Sequence, residues 1–127
     1  MRPAQRIGHA LRVMVVDDNP DICATLAILL RYYGHEVAVF HSGQELLKAL
    51  PAFTPNAVIL DIGMPEMNGY ELARRIREKP ECQTVFLIAV SAWGLDEDRQ
   101  TAFEAGINEH LVKPADTEQL FDLLDRL

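Results

Sequence analysis

The stretch VILDIGMPEMNG, residues 58–69, joins an apolar run to a turn through a single acid. Residues Ala57–Leu60 predict a short strand buried on both faces, as is typical of the middle of a parallel sheet. The run leads straight into Asp61, and the Gly-Met-Pro sequence that follows ends any regular element. Because a buried charge is costly unless it is paired, Asp61 is better suited to chemistry than to stability.

Strand-like and helix-like segments alternate along the rest of the chain. Helical spacing or capping residues predict a helix after each strand, including a helix that begins at a Ser42/Glu45 capping box. The other predicted strands are Leu11–Val16, Glu36–Phe40, Val85–Val90 and His110–Val112, and the later helices are Tyr70–Arg77, Asp96–Ala105 and one capped by Asp116 that runs to Leu127. Five such units predict a doubly wound α/β fold, with a parallel sheet and helices on both faces.

The size and composition of the chain fit one domain. It has 127 residues, of which 49% are apolar, enough for a hydrophobic core. We expect this domain to cover residues 11–127, with residues 1–10 as a tail or linker. The apolar runs are shorter than a membrane span, so we expect a soluble protein with no direct membrane contact.

The net charge and the two cysteines indicate which partners and which compartment to expect. A net charge of −7 argues against a nucleic-acid surface and favours cationic or metal partners. Cys23 lies in a helical apolar pattern and Cys82 in a polar loop, without metal-ligand or redox spacing. We therefore expect a core thiol at Cys23 and a location in the reducing cytoplasm.

Polar residues close the apolar strands at one edge of the predicted sheet. In such folds ligands bind beyond the carboxyl ends of the strands. The residues there are Asp17, Asp18, Asp61, Ser91 and Lys113. If the first and third strands are neighbours, the three carboxylates converge and need a divalent cation, which we expect to be Mg²⁺ or else Mn²⁺. A carboxylate nucleophile, a metal, a hydroxyl donor and an ammonium group are the parts that phosphoryl transfer requires.

Each of these residues also has a structural explanation. Asp17-Asp18-Asn19-Pro20 can be a turn that starts a helix, and Asp61 can be a cap. Ser91 and Lys113 can be a satisfied loop hydroxyl and a solvated charge. The functional interpretation depends on their coincidence at one edge.

Four segments resemble the motif regions of the receiver domain of two-component response regulators. They are VMVVDDNPD, VILDIGMPEMNGYEL, IAVSAW and EHLVKPAD, and the resemblance extends from Leu11 to Leu127. It implies the strand order 2-1-3-4-5 and a phosphoryl group carried by Asp61. A histidine kinase or a histidine phosphotransfer domain would donate it. The reaction would be self-directed, with slow autodephosphorylation, so we do not expect a turnover enzyme.

The resemblance also implies roles for the neighbouring residues. Asp18 would bind Mg²⁺ directly, Asp17 chiefly through water, and Gly63 through its backbone carbonyl. Ser91 would contact the phosphoryl group and move on activation. Lys113 would pair with the phosphate, and the Lys113–Pro114 peptide would be cis.

Two positions depart from the family pattern. His110 stands where the family usually has Tyr or Phe, whose side chain acts as a switch together with the hydroxyl residue that Ser91 matches. A histidine there predicts a weaker or pH-dependent switch, or a surface histidine with no switching role. Gly63 leaves the acyl phosphate less guarded from water. Trp93, after Ser91, is expected to contact the site or to anchor a partner.

Other classes of α/β protein need residues that can be compared with this sequence. A haloacid-dehalogenase-type phosphatase needs a second acid at Gly63, and a flavin binder needs a Ser/Thr/Gly-rich loop where DDNPD stands. The motif of a P-loop NTPase is absent from the sequence. A phosphorylation-independent pseudo-receiver stays as the alternative.

We expect no output domain within these 127 residues, because the predicted single domain accounts for residues 11–127. We therefore expect output through protein contacts, which include a possible homodimer through the fourth helix, fifth strand and fifth helix, or through onward phosphate transfer. The chain fits a stand-alone regulator or a receiver from a hybrid histidine kinase.

Overall fold

The computed structural model describes residues 10–92 and 96–127, and the side chains of these residues except 96–98. The predictions for Trp93 and for most of the N-terminal tail lie outside this part of the chain. Within it, no helix combines the length and the apolar character that crossing a membrane requires.

The described residues form a five-stranded parallel sheet with helices on both faces, as predicted. The strands are β1 (Arg12–Val16), β2 (Glu36–Phe40), β3 (Ala57–Asp61), β4 (Phe86–Ser91) and β5 (Glu109–Val112), in the order β2-β1-β3-β4-β5. The helices are α1 (Pro20–Tyr32), α2 (Gly43–Phe53), α3 (Gly69–Arg77), α4 (Asp96–Glu104) and α5 (Thr117–Asp125), with a 3₁₀ turn at Pro80–Cys82. The strand order implied by the family resemblance is therefore confirmed.

The sheet separates two hydrophobic cores. Residues of α1 and α5, such as Leu30 and Leu120, pack against one face, and residues of α2 and α3, such as Leu46 and Leu72, pack against the other. All five residues of β3 are buried, because this strand has β1 and β4 on its sides and helices above and below. The apolar run before Asp61 thus forms the centre of the molecule.

Side-chain caps set where the helices begin. Asn19 caps α1 by accepting from the backbone N–H of Asp21, with Pro20 in the first turn. The turn and the helix start predicted for this segment are both present. Asp116 caps α5 as predicted, through hydrogen bonds from the N–H groups of Glu118 and Gln119.

Three predicted features differ in detail. Asp61 and Ser91 belong to β3 and β4 instead of following them, because both continue the sheet pairing. The Ser42/Glu45 capping box is only partly formed, since the Glu45 carboxylate accepts from the N–H of His41 and not from Ser42. Cys82 is only 3% exposed, because the 3₁₀ turn folds it into the core on the α2/α3 face.

Candidate functional site

Three carboxylates converge at the carboxyl edge of the sheet. Asp17 and Asp18 follow β1, Asp61 ends β3, and these two strands are neighbours. One carboxylate oxygen from each lies within 4.8 Å of the others. Asp17 and Asp61 are buried and Asp18 is exposed. The predicted convergence is therefore present in the fold.

Lys113 provides the positive charge in this cluster. It follows β5, and its backbone N–H donates to the carbonyl of Ser91 at 2.7 Å. Its Nζ lies 3.0 Å from Asp17 Oδ2 and 3.2 Å from Asp61 Oδ1, so one ammonium group bridges both buried acids. Burial alone would lower the pKa of Lys113, but the hydrogen bonds to Asp17 and Asp61 outweigh it and raise the pKa.

The electrostatics of Asp61 show that Lys113 does not fully compensate the acids. Burial is the largest cause that raises the pKa of Asp61, and the nearby charge of Asp17 raises it further. Hydrogen bonds from Lys113 and from the Gly63 N–H act in the opposite direction and do not cancel these effects. Three carboxylates lie near one ammonium group, so net negative charge remains in the cluster when all three are ionised.

The donor set fits a hard divalent cation. Carboxylate oxygens from Asp17, Asp18 and Asp61 can all reach one point, and the local charge favours a cation there. Mg²⁺ and Mn²⁺ prefer such oxygen ligands and leave coordination positions for water or phosphate oxygens. Gly63, whose carbonyl the family resemblance adds to the ligands, lines the same cleft.

The loop after β3 holds Asp61 closely from behind. A Cβ atom at Gly69 would lie 2.6 Å from the carbonyl oxygen of Asp61, so only glycine fits there. The Gly69 N–H also donates to the carbonyl of Ile62 at 2.9 Å. At Gly63, by contrast, a Cβ would meet no atom within 4 Å. The chain thus fixes the position of Asp61 and leaves the front of the site open.

Ser91 reaches the site from β4 and contacts His110. Ser91 is among the residues that line an open cleft of about 570 Å³, together with Asp17, Asp18, Asp61, Gly63 and Lys113. Its Oγ lies 2.6 Å from Nε2 of His110, which lies on the neighbouring strand β5. The structure therefore brings together the predicted site residues that it describes, and it links Ser91 to His110 by a direct hydrogen bond.

Sequence reasoning missed two residues that shape the site. The backbone N–H of Asn19 donates to Asp17 Oδ1 at 2.9 Å and so orients that carboxylate. The Cys23 thiol donates to the carbonyl of Asp17 at 3.3 Å, and burial, followed by the charge of Asp17, raises its pKa to about 11. The position of Asn19 directly after the acid pair could have indicated a contact with Asp17. The position of Cys23, six residues after Asp17, gave no such indication.

Comparison with known proteins gives a consistent family. A family model described as response regulator receiver domain matches residues 13–125. An uncharacterized 14.6 kDa protein of Leptolyngbya boryana is 39% identical over 90% of this chain and 87% of its own length. The CAI-1 autoinducer sensor kinase/phosphatase CqsS of Vibrio cholerae is 34% identical over 94% of this chain, which spans only 18% of that protein.

Solved structures agree with the sequence relatives. The chemotaxis protein CheY4 of Vibrio cholerae has a TM-score of 0.87 at 26% identity and covers 92% of this chain and 98% of its own. The receiver domain of sensor histidine kinase PA1611 of Pseudomonas aeruginosa was solved with magnesium coordinated in its active-site cleft. It has a TM-score of 0.83 at 28% identity, with 92% of this chain and 96% of that one covered.

Proposed function

Because this chain belongs to the response regulator receiver family, whose members are signalling modules and not classical enzymes, we propose that it accepts a phosphoryl group on Asp61. The observation that carries this proposal is the geometry around Asp61. Its carboxylate ends the central strand, is 6% exposed, and lies 3.2 Å from Lys113 in an open cleft with two further acids. A carboxylate that only capped a strand would not need these partners.

The transfer step is a displacement at phosphorus. An oxygen of the Asp61 carboxylate forms a bond to the phosphorus atom of a phosphohistidine, and the bond between phosphorus and the imidazole nitrogen breaks. The electron pair of that bond stays on the donor imidazole, which then takes up a proton from solvent. Lys113 moves from Asp61 Oδ1 to a phosphoryl oxygen, and the Ser91 hydroxyl donates to another.

Asp17, Asp18, Asp61 and the Gly63 carbonyl are the residues that would hold Mg²⁺, or Mn²⁺ in its place. When bound, the metal ion neutralises negative charge on the phosphoryl oxygens. The chain's own part is to keep the acids together through Asn19, which orients Asp17. Slow autodephosphorylation ends the signal, because the cleft in front of Gly63 admits water.

The partner we propose as donor is a histidine kinase or a histidine phosphotransfer domain. Its phosphohistidine has to reach Asp61, so its surface has to cover the surroundings of the cleft. An apolar cleft of about 470 Å³ opens beside Asp61, between α1 and the segment that leads from β5 into α5, and Ile22, Leu26 and Leu29 of α1 line it. We propose a cytoplasmic location for this reaction, since both cysteines are free thiols.

The proposed output uses contacts with another protein. Phe103 of α4 is 74% exposed and Val112 of β5 is 43% exposed, so both apolar side chains are available for contact with another protein. We propose that the surface formed by α4, β5 and α5 carries the output, as a homodimer or with another protein. Onward phosphate transfer by a hybrid kinase is the other route.

A pseudo-receiver is the second candidate, and one observation favours it. The hydroxyl of Ser91 is engaged by His110 at 2.6 Å, so the phosphoryl group has to compete for this donor. A receiver in which that competition failed would still fold and bind partners. The same acids would then serve only to bind a cation.

The test is intact-mass spectrometry of the wild type and of Asp61→Asn after incubation with acetyl phosphate and Mg²⁺. We expect one phosphoryl group on the wild type and none on the variant. Equal labelling of a folded Asp61→Asn variant would contradict the assignment. If neither protein gains mass although Mg²⁺ binds to the wild type, acetyl phosphate is not a donor for this protein, and labelling by a phosphorylated histidine phosphotransfer domain decides between the receiver and the pseudo-receiver.

A further inference from the structure

We propose that His110 is a positioning residue that controls which way the Ser91 hydroxyl points. In this proposal Nε2 of His110 accepts the hydroxyl proton in the unphosphorylated protein and becomes a donor when Asp61 carries phosphate. The inference deepens the proposed function and rests on it for the phosphorylated state. Its statement about the unphosphorylated protein stands independently.

The contact between the two side chains is short and well supported by the backbone. Ser91 Oγ and His110 Nε2 are 2.6 Å apart, so a hydrogen lies between them. Ser91 is 2% exposed, and the two residues lie on the paired strands β4 and β5. Neither side chain can leave the contact without a change of rotamer in a packed environment.

The hydroxyl of Ser91 has only one proton, and this gives the contact two states. If Nε2 lacks a proton, it accepts from Ser91, and the hydroxyl shows only lone pairs to the cleft. If Nε2 carries a proton, it donates to Oγ, and the Ser91 hydroxyl is free to donate elsewhere. The state of one ring nitrogen therefore decides whether the cleft gains a donor or an acceptor.

Phosphorylation favours the second state because phosphoryl oxygens are anionic acceptors. Ser91 is one of the residues that line the cleft containing Asp61 and Lys113, and the proposal requires its hydroxyl to donate to a phosphoryl oxygen there. It can donate there only when Nε2 of His110 carries a proton. That proton arrives either by a shift of the neutral ring between its tautomers, exchanged through solvent, or by uptake of one proton from water.

The charged groups near the ring act on it in opposite directions. His110 lines a solvent-accessible cleft of about 300 Å³ together with Arg99 of α4, Glu109 of β5 and the uncharged Gln119 of α5. Arg99 opposes an imidazolium ion there, and Glu109 favours it. The described residues of β4 offer no charged side chain on this ring, since the strand reads FLIAVS. A Phe at this position has no ring nitrogen, so it could neither accept the Ser91 proton nor donate one to Oγ.

The first experiment is a ring-nitrogen NMR spectrum of ¹⁵N-histidine-labelled protein, with and without Mg²⁺ and beryllofluoride, which stands in for the phosphoryl group. We expect an acceptor-type Nε2 for His110 in the free protein and a protonated Nε2 in the complex. Ser91→Ala should abolish the change, and His110→Gln identifies the signal.

Two other histidines serve as controls in the same spectrum. His35 Nδ1 accepts from the backbone N–H of Leu11 at 3.1 Å, far from the site at the other end of the sheet, so its Nε2 should be protonated in both states. His41 is exposed and does not line the cleft around Asp61, so its signals should be the same with and without beryllofluoride. A change at these residues equal to that at His110 would indicate a general effect and would overturn the inference.

The outcomes separate this inference from the proposed function. A protonated Nε2 of His110 in the free protein at pH above 7.5 overturns the inference alone. So does bound beryllofluoride with an unchanged acceptor-type Nε2. Failure of beryllofluoride to bind, while the intact-mass test also shows no phosphoryl gain, contradicts the proposed function and the phosphorylated half of the inference together.

The second experiment uses the rate of labelling by acetyl phosphate. His110→Phe removes the competing acceptor, so at pH 8 we expect labelling about threefold to tenfold faster than in the wild type. The advantage should shrink toward pH 6, where the wild-type ring gains a proton. A merely structural histidine predicts a ratio that does not depend on pH, and that result would overturn the inference.

Discussion

At the scale of single residues, Asp61 combines a structural cost with the chemical role proposed for it. It is the last residue of β3 and is 6% exposed, with Asp17 beside it. Burial and the charge of Asp17 raise its pKa in spite of Lys113. The folded protein therefore holds this carboxylate less favourably than the unfolded chain does, and the strain is relieved by protonation, by a cation or by removal of the charge.

We predict that Asp61→Asn is more stable than the wild type at pH 7 without Mg²⁺, by about 1 kcal/mol, or roughly 3–5 °C in Tm. A raised folded pKa means that the native state binds more protons. The contribution of Asp61 to stability is therefore largest below its unfolded pKa and is lost as pH rises through the folded pKa. The difference between the two proteins should vanish in acid, as measured by thermal unfolding followed by circular dichroism.

The control for this prediction is Asp21→Asn in the first turn of α1, where the carboxylate is exposed. This change should lower stability slightly, because it removes a favourable charge at a helix N-terminus. Mg²⁺ at a hundred times its Kd should stabilise the wild type by about 2.7 kcal/mol and Asp61→Asn far less. A less stable Asp61→Asn at pH 7 would show that Lys113 overcompensates the acids.

At the scale of elements, the loop from β3 to α3 depends on one glycine. The backbone of Gly69 approaches the carbonyl of Asp61 so closely that a Cβ would lie 2.6 Å from it and 2.8 Å from the Cα of Ile62. Both neighbours are backbone atoms and cannot turn aside. The start of α3 and the end of β3 are therefore held at a distance that only glycine allows.

We predict that Gly69→Ala destabilises the fold by about 2–3 kcal/mol and slows labelling by acetyl phosphate, because Asp61 has to shift. The measurements are urea unfolding and the labelling rate of the folded variant. Gly63→Ala is the matched control, since a Cβ there meets nothing within 4 Å, and it should unfold within about 0.5 kcal/mol of the wild type. Equal behaviour of the two variants would contradict this account of the loop.

A second element-scale feature is the arginine near the end of α3. The Arg77 guanidinium donates to the carbonyls of Gly106, Cys82 and Val85 at 2.8–3.0 Å, and to Asn108 Oδ1 at 2.9 Å. These acceptors lie in the segments that lead into β4 and β5. Arg77 thereby joins α3 to both connections, and each of these acceptors would lose one donor without it.

We predict that Arg77→Met costs about 3 kcal/mol of unfolding free energy, since several part-buried carbonyls lose their donor at once. Arg75→Met on the same helix is the control. Its ion pair with Glu71 is 3.0 Å long, but the two side chains are 52% and 45% exposed, so its loss should cost at most about 0.5 kcal/mol. Urea titrations of both variants check the difference, and similar midpoints would refute the role of Arg77.

At the scale of the whole molecule, each of the two hydrophobic cores contains one cysteine, whose reactivity measures how often that core opens. Cys23 is fully buried on the α1/α5 face, and Cys82 is buried on the α2/α3 face. Burial is the main cause that raises the pKa of each thiol. Neither thiol is accessible or ionised in the folded protein at neutral pH, so alkylation requires that the protein opens.

We predict that thiol labelling of Cys23 at pH 7.5 follows global unfolding and that Mg²⁺ at a hundred times its Kd slows it by about a hundredfold. Peptide mapping by mass spectrometry after timed alkylation measures the two cysteines separately. Cys82 lies at a short 3₁₀ turn and should react sooner, through local opening. Reaction of Cys23 at the rate of a free thiol in the folded protein would contradict its burial.

The sequence by itself determined the order of elements, the doubly wound class and the edge at which the acids lie. Apolar runs such as Ala57–Leu60 and helix caps such as Asp116 are local signals, because side-chain periodicity and capping involve neighbouring residues. Once the strands are parallel, Asp17, Asp61 and Ser91 must lie at the same edge. Roles and strand order came from the family resemblance.

Only the tertiary structure decided which of these groups touch. The bridge from Lys113 to two acids, the hydrogen bond between Ser91 and His110, and the burial of Cys82 each join segments whose separation is fixed by packing of the whole sheet. Such contacts depend on strand register and side-chain direction to within a few tenths of an ångström. No local pattern carries that information, because the energy that selects the contact arises only when both cores have formed.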